Sequence, residues 1–495
     1  MKSPDEIRSL PGRPQRAALT PAALLLAATA LLLPGCTDPS TQAMPESDSP
    51  VARSEPPAFY LGGIQVNEAD HEAWFDNLRA QSMNTVQVTE YAKQGDWDSD
   101  HMWWDEEAPW VLEEIRGAKR RGLSVVFVCR VALDHAFERN EFLWHGMILP
   151  KTEELIDSWF AQYGRFVVER AEIAEREGVD VFMIGSEMNA LATTLPAAAP
   201  PNLEEYFLNE EKQEDRREQV LAQEQLIAER HLELPERHGY GSVESYIDAR
   251  IAKERQWAES ATAGDVEDLP AINRRRARLK QHWEALIAEV RKVYSGPIGY
   301  AANFDHYHHV GFWPSLDVMG INAYFELRDR VLPDESEEHL YPLLVDGWRR
   351  VLGGIADFRA GQDLGEQPVI FTEIGFTQRA KSTLRPWADE GFTLIYNPTV
   401  EADGIPGQTE EYVVAWRDEP IKLEERAWAV RALWQAHSEL ERPFLKGILY
   451  WKLSSHDYHL DDEAFMVHIG PGSEDPILPE LRRFLTPPGV GPHPG

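Results

Sequence analysis

The sequence predicts an α/β fold, a closed (β/α)8 TIM barrel, and three observations predict it. From Phe59 onward, short β-rich apolar runs alternate with longer amphipathic stretches, the pattern of repeated βα units around a parallel sheet. Eight such runs can be counted, and most are apolar nearly throughout, as strands covered on both faces should be. No glycine-rich phosphate loop follows the first run, where Gly62-Gly63 lie within the strand instead, so an open doubly wound sheet is the weaker alternative.

In chain order the runs are Phe59 to Val66, Asn84 to Thr89, Ser124 to Val131, Val181 to Gly185, Pro297 to Asn303, Leu316 to Asn322, Pro368 to Thr372 and Lys446 to Trp451. Between them, helical periodicity marks Glu68 to Gln81, Ala108 to Arg121, Thr152 to Glu177, Arg274 to Tyr294, Tyr341 to Arg359 and Leu423 to Ser438. At 495 residues the chain is long for one domain, yet barrels with insertions reach this length as a single folding unit.

Two stretches break the spacing. Residues 202–268, after the fourth run, are dense in Glu, Arg, Lys and Gln at helical spacing and read either as a helical lid or side wall or as a solvated ornament. The loop from Gln378 to Ile421, after the seventh, carries Trp387, Phe392, Tyr396, Tyr412 and Trp416. Those aromatics serve either as stacking platforms for pyranose rings or as packing for a long loop.

The N-terminus reads as a targeting segment. Lys2, Arg8, Arg13 and Arg16 precede the apolar run Ala17 to Leu33, and Leu33-Pro34-Gly35-Cys36 follows, a pattern that resembles a bacterial lipobox. The run is short for a membrane span and is interrupted by Thr20, Pro21 and Thr29. Residues 1–35 are therefore expected to be a lipoprotein signal and Cys36 the lipidated first residue, with an uncleaved anchor or a plain signal peptide as the alternatives. In each case the body is exported to the cell envelope. Residues 36–57, rich in Ser, Pro, Asp and Glu, read as a flexible tether, and 58–490 as the barrel domain.

Hydrophobic residues make up 43% and charged residues 27%, an ordinary globular balance. Removing the net +2 of residues 1–35 from the formal −34 leaves −36. That charge excludes nucleic acid as a natural partner and disfavours a polyanionic substrate, but leaves neutral sugars unopposed. After Cys36 only Cys129 remains, in an apolar run, so no intrachain disulfide forms and the thiol is read as core. A monomer is expected.

In a barrel the active site lies at the C-terminal ends of the strands, so a polar residue that terminates an apolar run is informative. Glu187 ends Val181-Phe182-Met183-Ile184-Gly185-Ser186, and Glu373 ends Val369-Ile370-Phe371-Thr372. A carboxylate so placed is costly unless it is paired, hydrogen-bonded or engaged in chemistry. Two in one mouth suit glycosidic bond cleavage, which needs one protonated and one ionised carboxyl; a shared, partly dry pocket can separate their pKa values. Glu90 closes the second run and is the rival; Asp305 and Glu326 follow the fifth and sixth and read as binding or ion-pair residues.

These residues resemble a known family. Glutamates at the ends of strands four and seven mark the clan of retaining (β/α)8 glycosidases. The segments Gly185-Ser186-Glu187, Ala302-Asn303-Phe304-Asp305, Phe312-Trp313, Gly320-Ile321-Asn322-Ala323-Tyr324-Phe325, Phe371-Thr372-Glu373-Ile374-Gly375-Phe376 and Tyr450-Trp451-Lys452 look most like glycoside hydrolase family 113, whose characterised members are β-mannanases. The resemblance spans about Phe59 to Leu453 without the insertion. It implies that Glu187 is the general acid/base and Glu373 the nucleophile of a double displacement on a β-mannan or manno-oligosaccharide, with no cofactor or metal. It further implies that Tyr324 positions Glu373, that Trp451 floors the sugar subsite, and that Asn303 and Asn322 contact hydroxyls. Trp144-His145-Gly146 resembles a substrate-loop motif, which places Trp144 with them. The wider clan carries Asn just before its acid/base; Ser186 stands there instead, which suits family 113 better than its relatives.

Two other classes remain open on sequence. His306, His308 and His309 follow strand five, and His456 and His459 follow strand eight near Asp457, Asp461 and Asp462, which allows a metal-dependent barrel hydrolase, although no HExxH-like spacing supports one. A non-catalytic glycan-binding lipoprotein on the same barrel is the third reading.

Overall fold

The computed structural model describes residues 51–65, 68, 70–105, 107–134, 136–194, 207–221, 242–262, 269–386, 393–400, 406–414, 419–456 and 465–485. All eight expected strands are present: β1 Tyr60–Gln65, β2 Thr85–Gln94, β3 Ser124–Leu133, β4 Val181–Ser186, β5 Ile298–Asn303, β6 Val318–Asn322, β7 Val369–Ile374 and β8 Leu445–Ser454. Each is parallel to the next and β8 returns to β1, so the sheet closes. The glycine pair in β1 makes closure possible. A Cβ on Gly62 would stand 1.7 Å from the carbonyl oxygen of Thr85 on β2, and one on Gly63 would stand 2.4 Å from that of Tyr450 on β8.

Strand alternation sorts side chains into two cores. Tyr60, Val126, Val128, Val181, Met183, Val318, Ile370 and Leu449 point inward and plug the barrel. Phe127, Phe182, Ile184 and Phe371 point outward into a larger core shared with the helices. Cys129 belongs to that outer face, fully buried and free.

The helices are α1 His71–Ala80, α2 Ala108–Arg120, α3 Glu153–Arg176, α4 Asn189–Ala192, α5 Glu210–Leu221, α6 Val243–Thr262, α7 Leu269–Val293, α8 Glu337–Gly361, α9 Leu423–Ser438 and α10 Ile477–Arg482. Buried tryptophans lock the outer helices on, and each indole N–H finds an acceptor, as burial demands. Trp159 donates to Gln94 at 2.7 Å, Trp283 to the Leu191 carbonyl at 3.0 Å and Trp348 to that of Ala429 at 2.9 Å. Between β5 and β6, where Gly311 and Pro314 interrupt the segment, two single 3-10 turns, Tyr307–His309 and Trp313–Ser315, replace the α-helix.

The expected tether ends earlier than its composition suggests. Val51 N–H donates to the Arg176 carbonyl at 2.8 Å; Arg53 bonds the Val179 carbonyl at 3.0 Å and Ser295 Oγ at 2.8 Å, pairs with Glu175 and lies over the Tyr294 ring. Composition marks a segment as polar but does not show that one arginine has a seat on the barrel base. The expected signal segment 1–35, Cys36 and the expected tether up to residue 50 lie outside the described residues. So do Trp387, Phe392 and Trp416; Tyr396 and Tyr412 are described in backbone only, in an antiparallel ribbon of Thr393–Val400 with Pro406–Val414. Among the described residues no helix is long and apolar enough to cross a membrane.

The insertion after β4 contains α5 and α6, joined by Arg217 to Glu244 at 2.6 Å and to Asp248 at 2.7 Å. Helix α6 lies against the loop that follows β3. Trp257, almost fully buried, donates its indole N–H to the Met147 carbonyl at 2.9 Å, and Lys253 donates to that of Glu138 at 3.0 Å. The insertion is therefore a side wall of the active face and not a detached ornament.

Candidate active site

Both expected glutamates stand at the C-terminal mouth of the barrel. Val181 and Met183 of β4 point into the plug, and the chain turns directly after Ser186, where Glu187 takes φ +52°. A non-glycine residue pays roughly 1–2 kcal/mol for this left-handed conformation, so the surrounding structure must impose it. Glu187 N–H donates to the Ala301 carbonyl of β5 at 2.8 Å, and Met188 N–H to the Tyr300 hydroxyl at 2.9 Å. The turn is thereby fixed from the neighbouring strand.

Glu373 lies near the end of β7, buried to 3% exposure. The β6–β7 register shifts by one residue, so that Glu373 and not Thr372 lies opposite Asn322. One carboxylate oxygen, Oε2, accepts from the Tyr324 hydroxyl at 2.8 Å, and the other, Oε1, is ion-paired with Arg130. Tyr324 is itself buried, and its phenol is pushed far above the ordinary range by burial and then by the nearby charge of Glu187, so it remains a hydrogen-bond donor.

Arg130 joins the two acids. On β3 it follows Val126 and Val128 on the inward face, and it is 4% exposed. Its guanidinium touches Glu373, lies in the field of Glu187 and sits 5.5 Å from the centre of the Trp451 ring. Burial opposes its charge, but Tyr91, Glu187 and Tyr324 outweigh that and hold it protonated. A buried cation between two carboxylates offsets desolvation that neither acid could bear alone.

The protonation pattern differs from the sequence expectation. Burial alone would raise Glu187, but the neighbouring His145 imidazole, the charge of Arg130 and the Asn322 amide reverse the direction and leave it below the usual carboxylate range. His145 Nε2 lies 3.4 Å from Glu187 Oε2. The carboxyl that burial does raise is Asp305, pushed up to about 6 with help from the charge on Glu187. Thus Glu187 is held as a carboxylate, Glu373 is ion-paired, and the carboxyl of the mouth whose hold on a proton is strengthened is a third residue, Asp305.

The other expected site residues divide. Trp451 is half-buried on β8, beneath Arg130, and its peptide bond to Lys452 is cis. Trp144 stands beside His145, ring edge to ring face at 5.0 Å, its indole folded over Gly146 so closely that a Cβ there would meet it at 2.2 Å. Asn303 ends β5 half-buried, with no hydrogen-bond partner for its side-chain oxygen among the described residues. Asn322, expected at a sugar hydroxyl, is instead wholly buried: it accepts from Thr372 at 2.8 Å, donates to Ser186 at 3.4 Å and bonds Glu187. It braces the ends of β4 and β7 and offers no surface to a ligand.

Glu90 is eliminated as a rival by strand parity. It pairs in register with outward-facing Cys129 and is bound by Arg170 of α3 at 2.6 and 2.8 Å, whereas its neighbour Tyr91 pairs with Arg130. Glu326 is exposed. His306 and His309 are pushed down to about 3 and about 4, chiefly by burial, and are neutral. His456 lies 3.8 Å from Glu68; Asp457, His459, Asp461 and Asp462 lie outside the described residues. Among the described residues no three His, Cys, Asp or Glu side chains converge as metal ligands.

Sequence reasoning missed Arg130 and the approach of His145 to Glu187. A signal existed for the first: Arg130 is a lone cation near the end of an otherwise apolar run, the same mark that identified the glutamates. His145 was visible only as the middle residue of Trp144-His145-Gly146, because its approach to Glu187 depends on how a loop folds.

Comparison with known proteins agrees with this geometry. The model of Glycoside Hydrolase Family 113 matches residues 66–194 and 249–397. The structure of a family 113 β-mannanase from Alicyclobacillus acidocaldarius superposes with a TM-score of 0.51 at 16% identity, covering 86% of this chain and 97% of that one. Another family 113 β-1,4-mannanase gives 0.50 at 16% identity, covering 86% and 99%. At such identities the superpositions speak for the fold. No curated protein matches the chain in sequence.

Proposed function

The chain belongs to glycoside hydrolase family 113, and from that premise we propose that it hydrolyses β-1,4-linked mannan or manno-oligosaccharides by double displacement with retention. One observation carries the assignment of roles: a single buried arginine, Arg130, contacts Glu373 and lies in the field of Glu187, so the two acids act on one cavity. Glu373, held by Arg130 and Tyr324, attacks the anomeric carbon. Glu187 delivers a proton to the departing glycosidic oxygen, then accepts one from the water that cleaves the glycosyl ester. Trp451 floors the sugar subsite with an aromatic face, Trp144 lines it from the β3 loop, and Asn303 has the free acceptor to meet a hydroxyl. The test is a panel of β-mannan, β-glucan, xylan and galactan with products resolved by size. Release of manno-oligosaccharides is expected; cleavage of another glycan in preference, or of none, contradicts the assignment.

Export and lipid anchoring through Cys36 are part of the same proposal, supported by the basic, apolar and Leu33-Pro34-Gly35-Cys36 order of the N-terminus. The enzyme is then a monomer tethered at the cell envelope. Cys36→Ser should move it from the membrane to the soluble fraction; unchanged partitioning contradicts the anchor, and light scattering of the released domain tests the monomer.

A further inference from the structure

The mechanism asks Glu187 to give up a proton, yet the groups around it favour the carboxylate. His145 is the neighbour able to supply what is missing. Its Nε2 lies 3.4 Å from Glu187 Oε2, and it is the more exposed of the two, at 18% against 12%, so it faces both the acid and water.

The position of His145 is built. It opens a 3-10 turn, His145–Met147, closed by Met147 N–H to the Trp144 carbonyl at 2.9 Å and Ile148 N–H to its own carbonyl at 3.1 Å. Helix α6 of the insertion holds that turn through the bond from Trp257 Nε1 to the Met147 carbonyl, and Trp257 is seated between Trp97 and Phe207. Lys253 of α6 and Arg275 of α7 bond the carbonyls of Glu138 and Pro150, pinning the loop on either side. Those two cations are committed to backbone oxygens. Among the described residues, the other charged or titratable groups that share this mouth with Glu187 are Arg130 on β3, Tyr300 on β5, Asp305 after β5, Tyr324 after β6 and Glu373 on β7.

We propose that His145 is the proton reservoir of Glu187, a positioning residue that acts through the acid/base, and that the insertion helix α6 serves to hold it there. The inference rests on the roles given above to Glu187 and Glu373. On substrate binding the imidazolium N–H bond of His145 breaks and an O–H bond forms on Glu187, leaving neutral imidazole and neutral carboxyl. Glu187 passes that proton to the glycosidic oxygen as the C–O bond breaks and its electron pair goes to the leaving sugar, while Glu373 forms the ester. In the second half Glu187 takes a proton from the attacking water, Glu373 leaves as carboxylate, and the proton returns to His145. The sum is one water consumed per bond.

The test uses His145→Gln, which keeps an N–H donor for Glu187 but cannot store a proton. The readout is kcat/KM against pH on a manno-oligosaccharide and on a dinitrophenyl β-mannoside, whose leaving group needs no proton. The alkaline limb should move toward acid, because the variant has no second group from which Glu187 can draw a proton. Near neutral pH the oligosaccharide rate should fall on the order of 10- to 100-fold, within the range of general acid catalysis, with a far smaller loss on the dinitrophenyl glycoside. Trp257→Phe, which removes the N–H together with the smaller ring of the indole, should give the same unequal loss in weaker form. An unmoved alkaline limb in His145→Gln, or equal losses on both substrates, overturns the reservoir; a Trp257→Phe profile identical to wild type overturns the brace. Glu187→Gln is the control: if it cleaves the oligosaccharide normally, the underlying assignment has failed, and not the inference about His145.

Discussion

Replacing Tyr324 by Phe removes one hydroxyl and leaves the ring in its place. The hydroxyl donates at 2.8 Å to Oε2 of Glu373, an oxygen of a buried carboxylate whose other oxygen is held by Arg130. A hydrogen bond to a charged acceptor is worth about 1.5–3 kcal/mol net, or roughly 10- to 150-fold in rate. Because Arg130 remains, the lower half of that range applies. The loss falls unevenly on the two chemical steps. During attack the carboxylate is giving up its charge, so part of the lost stabilisation is already absent from the starting state. During hydrolysis of the ester Glu373 is the leaving group, and charge reappears on an oxygen that has lost its donor. Deglycosylation should therefore slow more than glycosylation, and the covalent intermediate should accumulate. With a dinitrophenyl β-mannoside, rapid mixing should show a burst of one dinitrophenolate per active site, followed by a steady state about 10- to 30-fold below wild type, with KM lowered in parallel. A folded Tyr324→Phe enzyme with wild-type kcat and no burst refutes the role given to this contact.

Other perturbations separate site from scaffold. Glu90→Gln breaks a buried ion pair with Arg170 and should cost about 3 kcal/mol of stability by denaturant unfolding, while kcat per folded molecule is unchanged; loss of activity in the folded protein would return Glu90 to the site. Asp305 carries a pH signature. Its folded pKa, about 6, exceeds its ordinary 3.8, so the folded state holds that proton more tightly, and stability falls as pH rises from 3.8 through 6 and stays lower above. The loss is on the order of 2–3 kcal/mol, and Asp305→Asn should melt higher than wild type near pH 7, with the advantage shrinking near pH 4; an equal difference at both pH values contradicts the shift. Gly62→Ala places a methyl 1.7 Å from the Thr85 carbonyl and should prevent barrel closure, read as loss of soluble, cooperatively unfolding protein.

The barrel was legible because each of its strands is covered on both faces and so appears as an apolar run; the run boundaries shift by a few residues, but none is missing. Glu187 and Glu373 were legible for the complementary reason, since a carboxylate that ends such a run stands at the mouth. Glu90 satisfied the same rule and was separated only by parity: in register with Cys129 it faces the helices, one residue away from the inward-facing position of Tyr91. Asn322 shows the opposite limit, for its place at a strand end is visible while its commitment to Thr372, Ser186 and Glu187 arises from three strands meeting. His145 and the insertion were beyond sequence reasoning together. Their contact requires α6 to seat Trp257 against a turn more than a hundred residues earlier, and a charge-rich helical pattern carries no trace of one buried indole.

The central claim is that Glu373 forms an ester with the sugar while Glu187 serves as its proton partner. Trapping with a 2-deoxy-2-fluoro-β-mannosyl fluoride, which slows the second step, followed by proteolysis and mass spectrometry, tests it most directly. The account predicts one label per chain, on the peptide containing Phe371-Thr372-Glu373-Ile374, and faster labelling in wild type than in Glu373→Gln, which should take none. A label on Glu187 or Glu90, or inversion at the anomeric carbon in an active enzyme that never labels, would contradict it.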